Sequence, residues 1–244
     1  MKKGLSFSLL GVLTTCVMAL AGCGGGEKTI YENNFENGNN GAFTSLYGSF
    51  TENDNTITLL KDGNNVGPNT YFGSETKNID WQGKNMLVSI KINIENEKFA
   101  TNEGFNWAVA LNGEDGNFIN ERYLYFRKYD DGVKVGYTAN GSSDEINQEA
   151  TSNDKAKLLN DGWYEIIFDF HENDENLAKV TIKVMQNGSE VFKETDAILV
   201  NYNSETESYE DLKMEDVKGI RYGWFPFMSV PSLEVDDLKV TYVE

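Results

Sequence analysis

Residues 86–95 alternate apolar and polar side chains at every position but Leu87, and that alternation limits what this chain can become. Met86, Val88, Ile90, Ile92 and Ile94 share one parity, while Ser89, Lys91, Asn93 and Glu95 share the other. A period of two puts the first set on one face of an extended strand and the second on the opposite face. One face is core and the other is wet. Residues 104–111 repeat the pattern, with Phe105, Trp107, Val109 and Leu111 on one side. Shorter versions run through 29–35, 42–50, 56–60, 122–129, 133–137, 163–170, 179–185, 190–194 and 219–225.

The segments between these runs carry turn chemistry. Asp130-Asp131-Gly132 and Asn187-Gly188 mark hairpins, because such pairs accept the positive φ angles of tight turns. Helix signals are confined to 154–159 and 209–217, a turn or two each, and neither shows a 3.6-residue period. In the closing run 233–243 the parity slips: Leu233 and Val235 set one phase, and Leu238, Val240 and Tyr242 follow the other. A β-bulge at Asp236-Asp237 would keep both halves facing the core. No fixed-period repeat appears, which argues against a propeller or solenoid. The pattern predicts an antiparallel two-sheet β-sandwich in one domain, 30–244, with no internal linker.

The first residues are built differently. Lys2 and Lys3 form a basic head, residues 5–20 an apolar run too short for a convincing membrane span, and Leu20-Ala21-Gly22 lead into Cys23. This order resembles the lipobox of bacterial lipoprotein signal peptides. The resemblance implies a signal peptide at 1–22, cleavage before Cys23, and lipidation of its thiol with acylation of the new amino terminus. Residues 23–29, with Gly24-Gly25-Gly26, then form a flexible tether. Stable attachment needs more than one acyl chain, since each buried methylene is worth only about 0.8 kcal/mol. The implied location is the bacterial cell envelope, membrane-anchored and facing away from the cytoplasm. The alternatives are an ordinary secretory signal or a short uncleaved anchor. Cys16 and Cys23 are the chain's 2 cysteines, so the folded domain has no disulfide and no cysteine chemistry.

The formal net charge is -18, and loss of Lys2 and Lys3 makes the mature chain more acidic still. Such a surface repels phosphate backbones, which excludes nucleic acid as a natural partner. The acidic runs 172–176 and 205–207 are expected to be solvated loops, with cation binding the alternative.

Several short motifs resemble the concanavalin A-like lectin/glucanase superfamily and related jelly-roll carbohydrate-binding modules. They are Asn34-Phe35-Glu36-Asn37-Gly38, Asp161-Gly162-Trp163-Tyr164 entering an apolar strand, the Asn187-Gly188 hairpin, and Val235-Asp236-Asp237-Leu238-Lys239-Val240. The resemblance spans most of 30–243. It implies a jelly-roll sandwich, a poly- or oligosaccharide partner, and a structural calcium ion where first and last strands meet, held by Glu36 with Asp236 or Asp237. A bulge offers carbonyl oxygens beside acidic side chains, as calcium requires. The alternative is that Asp236-Asp237 simply guards an edge strand with charge.

Sugar recognition of this kind places aromatic faces against pyranose rings, with polar groups on the hydroxyls. Tyr123, Tyr125, Arg127 and Tyr129 share one side of a strand whose other side carries Leu124 and Phe126. Tyrosines around an arginine are costly to bury without partners, so this side is expected to be an open, partly polar face. Trp107, Trp81 and Trp224 are further candidates, each with core packing as its alternative. Trp163 is assigned to the core, and 224–228 either to a binding loop or to a plug over one end.

No complete catalytic motif is present. Glu234-Val235-Asp236-Asp237-Leu238-Lys239 begins like the acidic strand motif of laminarinase-like hydrolases, but Lys239 stands where the acid belongs. Residues 133–137 resemble a strand of jelly-roll polysaccharide lyases, which need tyrosine, arginine and histidine together. The chain has a single histidine, His171, in an acidic setting where a surface role is expected. The expected function is a lipid-anchored carbohydrate-binding protein. A glycoside hydrolase or polysaccharide lyase of the same fold, or an adhesin with a protein ligand, are the alternatives.

Overall fold

The computed structural model describes residues 27–43, 48–61, 69–71, 85–112, 118–138, 156–203, 208–217, 219–225 and 230–243. Their strands, in chain order, are β1 (Glu27–Asn33), β2 (Gly48–Asn53), β3 (Thr56–Lys61), β4 (Asn69–Tyr71), β5 (Asn85–Ile94), β6 (Gly104–Asn112), β7 (Phe118–Tyr129) and β8 (Gly132–Thr138). There follow β9 (Lys157–Leu159), β10 (Gly162–Glu172), β11 (Ala178–Gln186), β12 (Ser189–Ile198), β13 (Val200–Asn203), β14 (Ser208–Asp211), β15 (Gly219–Phe225) and β16 (Ser232–Val243). Helical structure among the described residues is limited to single 3-10 turns at Asn96–Lys98 and Met214–Asp216.

The strands form an eight-stranded sheet ordered β12-β11-β10-β5-β16-β3-β2, with β1 also on β16, and a six-stranded sheet ordered β4-β15-β6-β7-β8-β9. A small β13-β14 hairpin stands apart from both. The described pairings are antiparallel. One continuous apolar core lies between the two large sheets. The eight-stranded sheet contributes Ile90 and Ile92 of β5 and Tyr164, Ile166, Phe168 and Phe170 of β10. The six-stranded sheet contributes Phe105, Trp107, Leu124, Phe126 and Val135, and the rings of Phe105 and Phe126 stack 4.6 Å apart. This is the antiparallel sandwich that the alternation predicts.

Local chemistry sets the register. Asn187 and Gly188 both take positive φ, 51° and 76°, between partners Gln186 and Ser189, as a two-residue hairpin with a primed turn requires. Tyr129 pairs with Gly132 across Asp130-Asp131. In β16 the register on β5 slips between Asp236 and Lys239, and Asp237 takes φ 48°. The bulge lets Leu233 and Val235 pair with β3, and Leu238 and Val240 with β1, while all four remain buried.

Five local expectations are corrected. Residues 27–29, expected in the flexible tether, open β1 and pair with β16. Residues 157–159 form an edge strand on β8 instead of a helical turn, and 209–217 hold the end of β14 and one 3-10 turn. Of the expected run 42–50, residues 42–43 form no strand and follow a turn at 39–41, while 48–50 open β2. Asn39 there exchanges two hydrogen bonds of 2.8 Å with the backbone of Phe43, whose ring stacks on Phe35. Trp163 is 37% exposed and not part of the core. Tyr164, Ile166, Phe168 and Phe170 fill the inward parity of β10, so the residue before them points outward.

Candidate carbohydrate-binding face

The site begins with the parity of β7. Because Leu124 and Phe126 enter the core, Tyr125, Arg127 and Tyr129 take the outer parity of the six-stranded sheet. Cross-strand register brings Asn106 and Gly136 beside Tyr125, and Gly104 and Lys134 beside Arg127. Lys134 in turn neighbours Leu158 on β9, whose side chain is 53% exposed.

Two glycines shape this surface. A Cβ at Gly136 would lie 2.1 Å from the Tyr125 hydroxyl oxygen, so the tyrosine ring lies across β8 only because residue 136 has no side chain. A Cβ at Gly104 would meet the Phe126 carbonyl oxygen at 1.8 Å, so β6 enters the sheet closer to β7 than any larger residue permits.

The face is covered at its centre and accessible at its end. Tyr125 and Asn106 are each 1% exposed, whereas Arg127, Tyr129 and Lys134 are half-buried. Asn106 alternates out of the core between Phe105 and Trp107, and neither atom of its amide has a hydrogen-bond partner. Leaving a buried polar group unsatisfied costs about 1–3 kcal/mol, so the covered Asn106 amide is a local cost of this packing. At the accessible end the Arg127 guanidinium sits 5.9 Å, and the Lys134 ammonium 5.2 Å, from the centre of the Tyr129 ring. Lys134 also reaches Asp131 at 2.9 Å. Burial raises the Tyr129 hydroxyl's pKa, while the two cations pull it down.

The expected aromatics are not all brought to this face. Trp107 is 1% exposed inside the core, so it offers no ring to a ligand. The backbone of Trp224 stands opposite Trp107 in the β6–β15 register, and that of Tyr123 opposite Ala108 and Thr138. Trp81 and Cys23 lie outside the described residues. The expectation of an open face needs correction at Tyr125, because Asn106 and Tyr125 are covered together.

The residues at the expected calcium position do not fit that ion. Lys91 of β5 pairs with the Asp237 carboxylate, occupying the group that would have been a ligand. Asp236 accepts the Asp237 N–H at 2.7 Å, and burial raises the pKa of its carboxyl. Glu36 is exposed, and no group of three or more candidate ligands stands together among the described residues.

The carboxylates and the histidine lie on the other sheet. Glu234, Asp236, Glu165 and His171 belong to β16 and β10 of the eight-stranded sheet, and His171 Nδ1 lies 3.1 Å from the Asp169 carbonyl. The tyrosine and arginine of β7 are therefore on a different sheet from the histidine that a lyase triad would require.

Asn106 and Lys134 were readable but missed. The 104–111 alternation already sets Asn106 outside the core, and a two-residue turn at Asp130-Asp131 makes Lys134 the partner of Arg127.

No protein-family model matches the chain, and no curated protein matches it in sequence. Among solved structures, the chain is similar to the carbohydrate recognition domain of Emp46p, at TM-score 0.50 and 13% identity, covering 85% of this chain and 91% of that one. It is also similar to the alginate lyase Aly36B, at TM-score 0.46 and 13% identity over 88% of this chain and 97% of that one. A lectin from Bauhinia forficata in complex with GalNAc matches at TM-score 0.46 and 7% identity, over 90% of this chain and 98% of that one. Likeness at such identities extends to the fold, an antiparallel jelly-roll sandwich of concanavalin A-like type.

Proposed function

We propose that this chain is a carbohydrate-binding protein of the bacterial cell envelope, anchored by lipid at Cys23, which captures poly- or oligosaccharide on the outer face of its six-stranded sheet. The observation that carries the reading is the accessible end of that face, where the Tyr129 ring lies beside the Arg127 guanidinium and the Lys134 ammonium. An aromatic ring with charged donors around it matches a sugar ring with hydroxyls at its rim. The jelly-roll fold supports this reading as the scaffold, and the leader's order of charge, apolar run and cysteine supports the anchor.

Two experiments test it. Affinity electrophoresis through plant, algal, fungal and host polysaccharides should retard the chain in at least one gel. Arg127→Ala with Tyr129→Ala should abolish retardation in at least one of those gels without lowering the melting temperature appreciably. Unchanged retardation of the double variant in every gel would remove this face as a site. For the anchor, labelling cells with a palmitate analogue should mark the chain, and Cys23→Ala should end the labelling. A labelled Cys23→Ala chain would refute it.

A further inference from the structure

The outer face of the eight-stranded sheet carries a second row of this kind. Trp163 on β10, Asn93 on β5, Glu234 on β16 and Thr58 on β3 are successive cross-strand partners. At strand spacing the row is about 14 Å long. Its polar members are held in place: Asn93 Nδ2 donates to Glu234 Oε2 at 3.0 Å, and Thr56 Oγ1 donates to Glu234 Oε1 at 2.9 Å. Holding the Glu234 carboxylate from two sides leaves its remaining lone pairs, with the Asn93 carbonyl, as fixed acceptors. Alongside run Glu165, Lys91 and Asp236, and the one cation there is paired with Asp237.

We propose that this row is a glycan-binding site for a neutral sugar chain, with Trp163 as the stacking platform and Glu234 and Asn93 as acceptors for its hydroxyls. The occupant follows from the chemistry of the row. An exposed indole takes the apolar face of a sugar ring, and fixed acceptors match hydroxyl donors. The surrounding carboxylates repel uronates, sulfated glycans and phosphates. A stable protein interface needs roughly 800 Å² per partner with apolar anchors. Among the described residues only Trp163 and Leu158 are large exposed apolar side chains, and Leu158 lies on the other sheet, so this face lacks that apolar area. The site does not depend on the Tyr129 face, and occupation of both would make one chain a bridge between glycan strands.

The test uses the full-length chain in lauryldimethylamine oxide micelles, titrated calorimetrically with cellohexaose, xylohexaose, mannohexaose and laminarihexaose. At least one should bind. Trp163→Ala should weaken that binding about tenfold or more, and by the same factor in the Arg127→Ala, Tyr129→Ala background. Trp163→Phe keeps a stacking ring, so it should keep binding but lose the shift in indole emission seen at saturation. The proposal is overturned if none of the four binds, if Trp163→Ala binds as tightly as the unaltered chain, or if Trp163→Phe still shows the emission shift.

Discussion

Asn96 and Asp161 tie the two sheets together at one end of the sandwich: the backbone N–H and the side-chain amide of Asn96 both donate to Asp161 Oδ1, at 2.7 and 2.9 Å. Asn96 follows β5 of the eight-stranded sheet. Its Oδ1 accepts from the Val133 N–H at 2.8 Å and from Lys128 Nζ at 3.1 Å, and its amide also donates to the Leu159 carbonyl at 3.3 Å. One side chain thereby satisfies groups on β7, β8 and β9 of the opposite sheet. Asn96→Ala strands several of them, and the expected loss is about 2–4 kcal/mol. Urea unfolding should show a lower midpoint at unchanged slope.

The same contact sets a pH dependence. The backbone N–H of Asn96, followed by its side chain, lowers the Asp161 pKa below the ordinary carboxylate value. A carboxyl whose folded pKa is depressed favours the folded state when ionised. Its contribution is complete above the ordinary carboxylate value and is lost as pH falls through the lowered one. Asp161→Asn should therefore destabilise at pH 7, and the gap to the unaltered chain should close on acidification below the ordinary range. A gap that stays constant with pH would show that the charge of Asp161 plays no part.

Asp236 has the opposite sign. Burial raises its pKa, the charges of Asp237 and Glu234 reinforce the shift, and the Asp237 N–H and Lys91 oppose it. The folded state thus prefers the protonated acid, and ionisation at neutral pH is a cost that disappears as pH falls below the ordinary carboxylate value. Asp236→Asn keeps the oxygen that accepts the Asp237 N–H and removes the charge. Its melting temperature should exceed that of the unaltered chain at pH 7 and converge with it in acid.

How far this structure could be read from its sequence follows the range of each interaction. Parity in 86–95 and 104–111 gives the sandwich because it records burial strand by strand. The slip at Asp236-Asp237 gives the bulge for the same reason. Two-residue turns give register over a few residues, so the pairing of Arg127 with Lys134 was within reach. Trp163 was expected in the core because tryptophan tends to be buried, but the parity of 163–170 carries the opposite answer, and the structure follows parity. What the sequence does not carry is pairing across distant segments. Lys91 meets Asp237, and Asn96 meets Asp161, only because β5 lies between β10 and β16. The expected calcium ligands failed at that point, since the acidic pair is visible in sequence and its lysine partner is not. The covering of Tyr125 and Asn106 likewise depends on packing that alternation does not encode.

The fit between Tyr125 and Gly136 links that packing to the candidate face. A methyl at residue 136 would overlap the tyrosine hydroxyl and come within 2.2 Å of the ring carbon bearing it. Since the overlap involves the ring as well as the hydroxyl, Tyr125→Phe does not relieve it. Gly136→Ala should displace the ring from β8 and cost about 1–3 kcal/mol, as overpacked sites do. Tyr125→Ala leaves a cavity and lowers stability by itself, but it gives the new methyl somewhere to go. The double variant should then be more stable than the sum of the two single losses predicts. Denaturant midpoints of all four chains measure this coupling directly. An additive result would mean that the ring and residue 136 do not contend for the same space, and that Gly136 has no part in placing Tyr125 on the β7 row.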